Sequence, residues 1–316
     1  MDSSLSSSRW QTLAAFAVIY LVWGSTFLAI RIGVREVPPL LLAGIRFFTA
    51  GLLLYLWTRF KGTASPSRRE WRDATLLAVL MFVLDYGLVF WAEKRVASGI
   101  TAVMLATTPS FTAVAEILLL RTQRLTGRLI FALLIGVSGV AVLVSPSGFG
   151  AGVIVPVGAA ALIVAAMCWS LAAVLLRKAS LPQSKTMSSA AQMLAGGVML
   201  VGAAFSFGEF KGFSFAAVSV KAWLALIYLI VAGSIVAFTA YVWLIHHESP
   251  TKVGTYAYVN PVIAVLLGYY FGGEALGMRT VLGTLLVLVS VVVITAAKKS
   301  ETSFQSGFNE VEMAEH

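Results

Sequence analysis

The sequence predicts an all-α integral membrane protein of ten transmembrane helices, arranged as two inverted five-helix repeats. Three observations carry that expectation. Hydrophobic residues fill 59% of the 316 positions and charged residues only 12%, with a mean hydropathy of +0.89; soluble domains carry about twice that charged share. The apolar residues fall in blocks of about 20, the length of helix that crosses the hydrocarbon core. A proline-interrupted span also recurs. Residues 98–120 read SGITAVMLATTPSFTAVAEILLL and residues 250–272 read PTKVGTYAYVNPVIAVLLGYYFG, so Pro261 follows Pro109 by 152 positions. A polar stripe and a proline break that appear twice suggest a path between two related halves.

Taken in order, the first half holds spans at 11–31, 39–58, 72–92, 99–120 and 128–146. The second holds 154–176, 188–208, 222–245, 252–272 and 278–297. A short uncharged segment rich in Gly and Pro, SPSGFGAGVIVP, separates the two, giving units at 1–147 and 152–299. Residues 300–316 are polar and acidic with little to bury, which predicts a disordered cytoplasmic tail. Basic residues cluster in alternate loops, among them Arg59, Lys61, Arg68 and Arg69, then Arg121, Arg124 and Arg128, then Arg177, Lys178 and Lys185. By the positive-inside rule these loops are cytoplasmic, and so are both termini. The net charge of +9 is thereby accounted for without a nucleic-acid partner.

Five spans per half make the halves enter the bilayer in opposite directions. Internal echoes support their kinship: Trp23 and Arg31 in span 1 match Trp169 and Arg177 in span 6, and Trp91 in span 3 matches Trp243 in span 8. Small-residue runs at 136–144 and 283–293 close each half.

Within the spans, helical geometry gathers Thr101, Thr108, Thr112 and Glu116 on one face of span 4. Pro109 and Pro261 are the expected helix breaks, each lacking the N–H that the ladder needs. Glu116 admits two readings: a carboxylate that snorkels or is structurally hydrogen-bonded, or a protonatable group coupling proton movement to substrate. Asp85 is a second candidate for proton coupling. Arg46 and Asp85 fall at similar depth on antiparallel spans, which predicts a structural ion pair. Trp23, Tyr86, Trp91, Trp169, Trp243, Tyr256 and Tyr258 are aromatic residues that either pack the bundle or line a substrate cavity. Tyr256 and Asn260, four apart and just before Pro261, make a polar binding surface with Thr108 and Thr112. Glu93 reads as an interfacial charge and His246 and His247 as surface histidines. Gly268 and Gly272 carry GxxxG spacing, which suits either a dimer face or packing within the bundle.

Several of these features together resemble the EamA-type branch of the drug/metabolite transporter superfamily. They are WGSTF at 23–27, a proline followed by Arg46 in span 2, the Pro109/Pro261 pair, and FGGEALG at 271–277. The resemblance covers roughly residues 12–297. It implies a secondary transporter of the cell inner membrane that exports amino acids or other amphipathic metabolites through a central cavity between the halves. Thr122 departs from the pattern, standing where the first repeat should carry the acidic residue that Glu274 supplies in the second.

Other functions lack their chemistry. There is no GxxxxGK phosphate loop, no HExxH, no GxSxG, and no metal-spaced Cys/His cluster; the single cysteine is Cys168. No cofactor and no enzymatic role are expected. The partners expected are a small-molecule substrate and the lipid bilayer, with a monomeric or homodimeric assembly. An uncoupled facilitator of the same fold remains the nearest alternative, with a membrane-embedded enzyme or sensor further off.

Overall fold

A computed structural model describes residues 9–120, 126–145, 156–248, 250–253 and 255–294. Thr122, the Gly/Pro-rich connection with the unit boundaries at 147 and 152, and the tail 300–316 lie outside the described residues, as does the side chain of His246. Among the described residues the fold is helical, with no strand. Its helices are α1 (Arg9–Gly33), α2 (Pro39–Phe60), α3 (Arg68–Glu93), α4 (Ser98–Leu105), α5 (Thr108–Ala115), α6 (Gly127–Val144), α7 (Pro156–Leu175), α8 (Lys185–Ser206), α9 (Val220–Leu244), α10 (Pro250–Val253), α11 (Tyr256–Gly272) and α12 (Met278–Ile294). Among the described residues, eight stretches, α4 and α5 counted together, are long and apolar enough to cross a membrane. Over the described residues, the ninth and tenth expected spans are helical in α11, of 17 residues, and in the shorter apolar helix α12.

Local chemistry starts and bends these helices. A capping box opens α3: Ser67 Oγ accepts from Glu70 N at 3.3 Å while Glu70 Oε2 accepts from Ser67 N at 2.6 Å. Ser184 and Ser219 cap α8 and α9 in the simpler way. Both α3 and α9 widen into π-helical turns mid-span, over Val79–Tyr86 and Leu229–Val236. Such widening leaves the i−4 ladder imperfect and frequently marks functional sites.

Two expectations about the prolines divide. The helix containing Pro109 does break, but at Ala106–Thr107, so that Pro109 sits in the first turn of α5, where a missing N–H costs nothing. Pro261 does not break its helix. It is buried inside α11, which runs unbroken through it, packed against a close approach of α1: a Cβ added at Gly24 would lie 2.7 Å from Ile263 Cγ2 and 3.3 Å from the Asn260 carbonyl. Membrane helices tolerate such a proline because neighbours hold the chain in place.

The bundle is knit by helices from the two halves. On α2 a Cβ added at Gly51 would lie 2.5 Å from Leu194 N, and on α8 one at Gly197 would meet Phe48 N closer still, so the two backbones touch. Gly139 of α6 fits against Val287 of α12, and Gly283 returns the contact against Leu143. Without a hydrophobic drive between helices in lipid, such small-residue seams are a main source of association.

Candidate functional site

Arg46 organises the site. It is 3% exposed on α2, and a lone guanidinium in a span must find partners. Its Nε donates to Ser234 Oγ at 3.0 Å, and Ser234 Oγ in turn donates to the Leu229 carbonyl in the π-turn of α9. The guanidinium carbon lies 4.7 Å from the Phe47 ring, 5.5 Å from Tyr86 and 5.9 Å from Phe90, a cation–π setting. Its Nη1 is buried without a hydrogen-bond partner.

The expected Arg46–Asp85 ion pair is not formed. Ser234 and the three rings take the guanidinium, and the Asp85 carboxylate, 5% exposed, makes no hydrogen bond or ion pair among the described residues. Asp85 and Arg46 both lie within electrostatic reach of Tyr86, and Asp85 also lies within reach of Cys168 on α7. Two buried ionisable groups of opposite sign thus lie near one tyrosine without bonding each other.

Aromatic residues extend the site on both sides. Tyr86 meets Trp169 edge to face at 6.1 Å. Trp23 packs on Tyr241 at 5.3 Å and Tyr256 at 5.1 Å, and its indole N–H donates to the Gly233 carbonyl at 3.1 Å. Gly233 and Ser234, adjacent in the π-turn of α9, therefore join the Trp23 group to the Arg46 group. A Cβ on Gly233 would lie 2.9 Å from Thr26 Cγ2 and 3.3 Å from Arg46 Nη2. Asn260, 8% exposed beside Pro261, keeps Oδ1 unpartnered.

Other candidates stand apart or spend their polarity locally. Thr108 Oγ1 donates to the Leu105 carbonyl and Thr112 Oγ1 to the Thr108 carbonyl, which also accepts from Ser170 Oγ at 3.0 Å. Trp91 lies under the Arg95 guanidinium at 3.7 Å, near the end of α3. Trp243 stacks on His247 at 4.1 Å, at the far edge of the cluster holding Trp23 and Tyr256. Glu116, 1% exposed and just past α5, forms an ion pair with Arg177 in the turn after α7, the structurally bonded alternative. Glu93 is not interfacial, because it is fully buried. Gly268 packs within the bundle: a Cβ there would collide with the Glu274 carboxylate.

Sequence reasoning missed Gly233, Ser234 and Tyr241. A small polar pair inside the apolar run IVAGSIVAF was the available signal, since a buried Arg46 requires an acceptor somewhere.

The profile of the EamA-like transporter family matches the chain twice, over residues 10–145 and 156–296. The chain belongs to the EamA-like transporter family. It is similar to the uncharacterized inner membrane transporter YedA of Escherichia coli K12, at 37% identity over 90% of both chains. It is also similar to the uncharacterized transporter YvbV of Bacillus subtilis, at 27% identity over 97% of this chain and 98% of that one. A crystal structure at 19% identity shares the fold, with a TM-score of 0.59 over 92% of this chain and 99% of its own. As an EamA-like protein this chain is a multi-pass membrane transporter and not an enzyme.

Proposed function

We propose that this EamA-like protein is a secondary transporter of the inner membrane that exports amino acids or similar amphipathic carboxylates from the cytoplasm. The observation that carries the reading is the pair of buried, mutually unbonded ionisable groups at Arg46 and Asp85, both near Tyr86. The free Nη1 of Arg46 is suited to a substrate carboxylate, which a guanidinium grips more strongly than a neutral donor does. Asp85 is suited to the substrate's ammonium. Tyr86, Trp169, Trp23 and Tyr256, with Asn260, form the walls for its apolar part. Asp85 accepts either that ammonium or a proton, and this exclusive occupancy couples export to proton entry. Glu116, paired with Arg177, clamps α5 to α7 rather than carrying the proton.

In this reading the ten spans form two inverted five-helix units with both termini cytoplasmic, and the site lies where the units meet. The double match of one family profile supports it, as do the matching π-turns of α3 and α9 and the glycine seams of α2 on α8 and α6 on α12. The units rock about the site to expose it to either side.

The test is efflux from liposomes containing the purified protein and loaded with labelled amino acids, aromatic carboxylates and aromatic amines. Selective release of the amino acids, accelerated by an inward proton gradient, is expected. Arg46→Gln removes release of every carboxylate, whereas Asp85→Asn shifts preference toward carboxylates without an ammonium group. Selective release indifferent to the gradient makes the protein a facilitator. Release no faster than from protein-free liposomes overturns the transport of this class.

A further inference from the structure

Glu93 ends α3, and its burial is complete: the residue is 0% exposed and both carboxylate oxygens are buried without a hydrogen-bond donor. The charged groups within electrostatic reach of it come from three other elements, Arg31 on α1, Arg46 on α2 and Glu274 after α11. None of them bonds its carboxylate. Arg31 Nη1 instead donates to the carbonyls of Glu93 and Val96, tying down the turn between α3 and α4. Glu274 is committed to the start of α4, accepting from Ser98 N at 2.6 Å, Ser98 Oγ at 2.7 Å and Gly99 N at 3.1 Å. Arg31 Nε and Arg46 Nη1 are themselves buried and unpartnered.

These are complementary groups held apart. An ionised carboxylate with no donor, beside a second carboxylate and near two cations with spare N–H groups, would turn toward those cations. A neutral carboxyl has no such pull and leaves Arg31 on the backbone carbonyls. We propose that Glu93 is a proton-binding site, separate from the substrate site: it holds a proton while the turn between α3 and α4 is tied to Arg31, and releases it when that turn opens during transport. The second half of this statement rests on the transport reading above. Loss of the proton lets the carboxylate compete for Arg31, which frees the Glu93 and Val96 carbonyls and loosens the turn. Arg46, within electrostatic reach of Glu93 and proposed to hold the substrate carboxylate, links the proton to the occupied site, and the linkage acts equally in both directions.

The first measurement needs no substrate. Infrared spectra of the full-length protein in lipid nanodiscs at pH 7 compare the wild type with Glu93→Gln and Glu274→Gln. A protonated-carboxyl band present in the wild type and in Glu274→Gln, but reduced in Glu93→Gln, is expected. Loss from the ionised-carboxylate bands alone in Glu93→Gln overturns the proposal. Because the substitution can itself disturb folding, wild-type protein labelled with 13C at the glutamate side-chain carboxyls supplies a second measurement; glutamates that are all ionised by NMR overturn it equally. In proteoliposomes loaded with labelled amino acids, Glu93→Gln is expected to retain exchange at equal pH and to reduce the acceleration by a pH gradient to the part that Asp85 supplies. A full response to the gradient overturns the role in the cycle. A wild type that moves no amino acid defeats the transport reading instead, and the spectra still decide the protonation of Glu93.

Discussion

Arg177 and Glu116 show what a buried charge demands at the scale of a single residue. Glu116 is 1% exposed and its partner's side chain is 51% exposed, so the pair straddles the boundary between interior and solvent. Removing the arginine strands a buried carboxylate, the expensive half of such a pair. Arg177→Ala is therefore expected to cost about 1–3 kcal/mol, discounted from the fully buried case because the guanidinium is half in solvent. The double variant Glu116→Gln/Arg177→Ala should recover most of that loss. Thermal unfolding in detergent checks both, and a double variant no better than the single would mean that Arg177 acts through other contacts. The pairing was half legible in the sequence. Glu116 in a span announced that it needed a partner, but helices that are apolar nearly all round give no periodicity from which to name it. Arg46 and Asp85 misled for the same reason: similar depth on antiparallel spans does not fix which faces meet. Glu93 misled differently, because its place after Trp91 and before Lys94 and Arg95 suggests an interface, whereas it is buried and Arg31 ties the following turn through the Glu93 and Val96 carbonyls.

Close approach governs the helices. Gly197 and Gly202 lie on the same helix, α8, yet meet opposite surroundings. A Cβ at Gly197 collides with the backbone of Phe47 and Phe48, whereas one at Gly202 has nothing within 4 Å. Gly197→Ala forces α2 and α8 apart and is expected to cost about 1–3 kcal/mol or more. Gly202→Ala only removes a flexible residue from a helix and is expected to be neutral or to stabilise by up to about 1 kcal/mol. Thermal midpoints of the two variants provide the comparison; equal effects would show that the seam can yield. Helix starts are tied across the chain as well: Glu209 accepts from Leu41 N at 2.9 Å, and Glu36 accepts from Ser219 N at 2.6 Å and Ser219 Oγ at 2.7 Å. Those Ser219 bonds hold the Glu36 carboxyl below its usual value. A carboxyl so lowered contributes its stabilisation above the unfolded value and loses it as pH falls through the folded one. Glu36→Gln should accordingly flatten the acid limb of the stability profile below about pH 4.5. A limb unchanged in that variant would assign acid sensitivity to other carboxylates. The sequence revealed most spans as apolar blocks, but not the π-turns or the break at Ala106–Thr107, because these depend on packing that no local pattern records.

For the whole molecule, the close seams mostly join one half of the chain to the other. α2 lies on α8, Gly99 of α4 on Val265 of α11, and α6 on α12; Arg46 of the first half bonds Ser234 of the second, and Trp23 bonds Gly233. A half alone would expose these seams and leave the Arg46 guanidinium without its acceptor, a severe cost inside a membrane. The two proposed units are thus expected to be sequence repeats without being independent folding units. Cutting the chain between residues 147 and 152 and expressing the halves separately should give protein that aggregates or is degraded in either case. Expressing them together should restore a complex that copurifies in detergent through a tag on one half. The seam also makes the recovery specific: Gly197→Ala in the second half should weaken copurification, and Gly202→Ala should leave it intact. A first half that purifies alone as a stable, monodisperse species would show that its own helices suffice to bury Arg46, and the site would then belong to one unit rather than to the meeting of two.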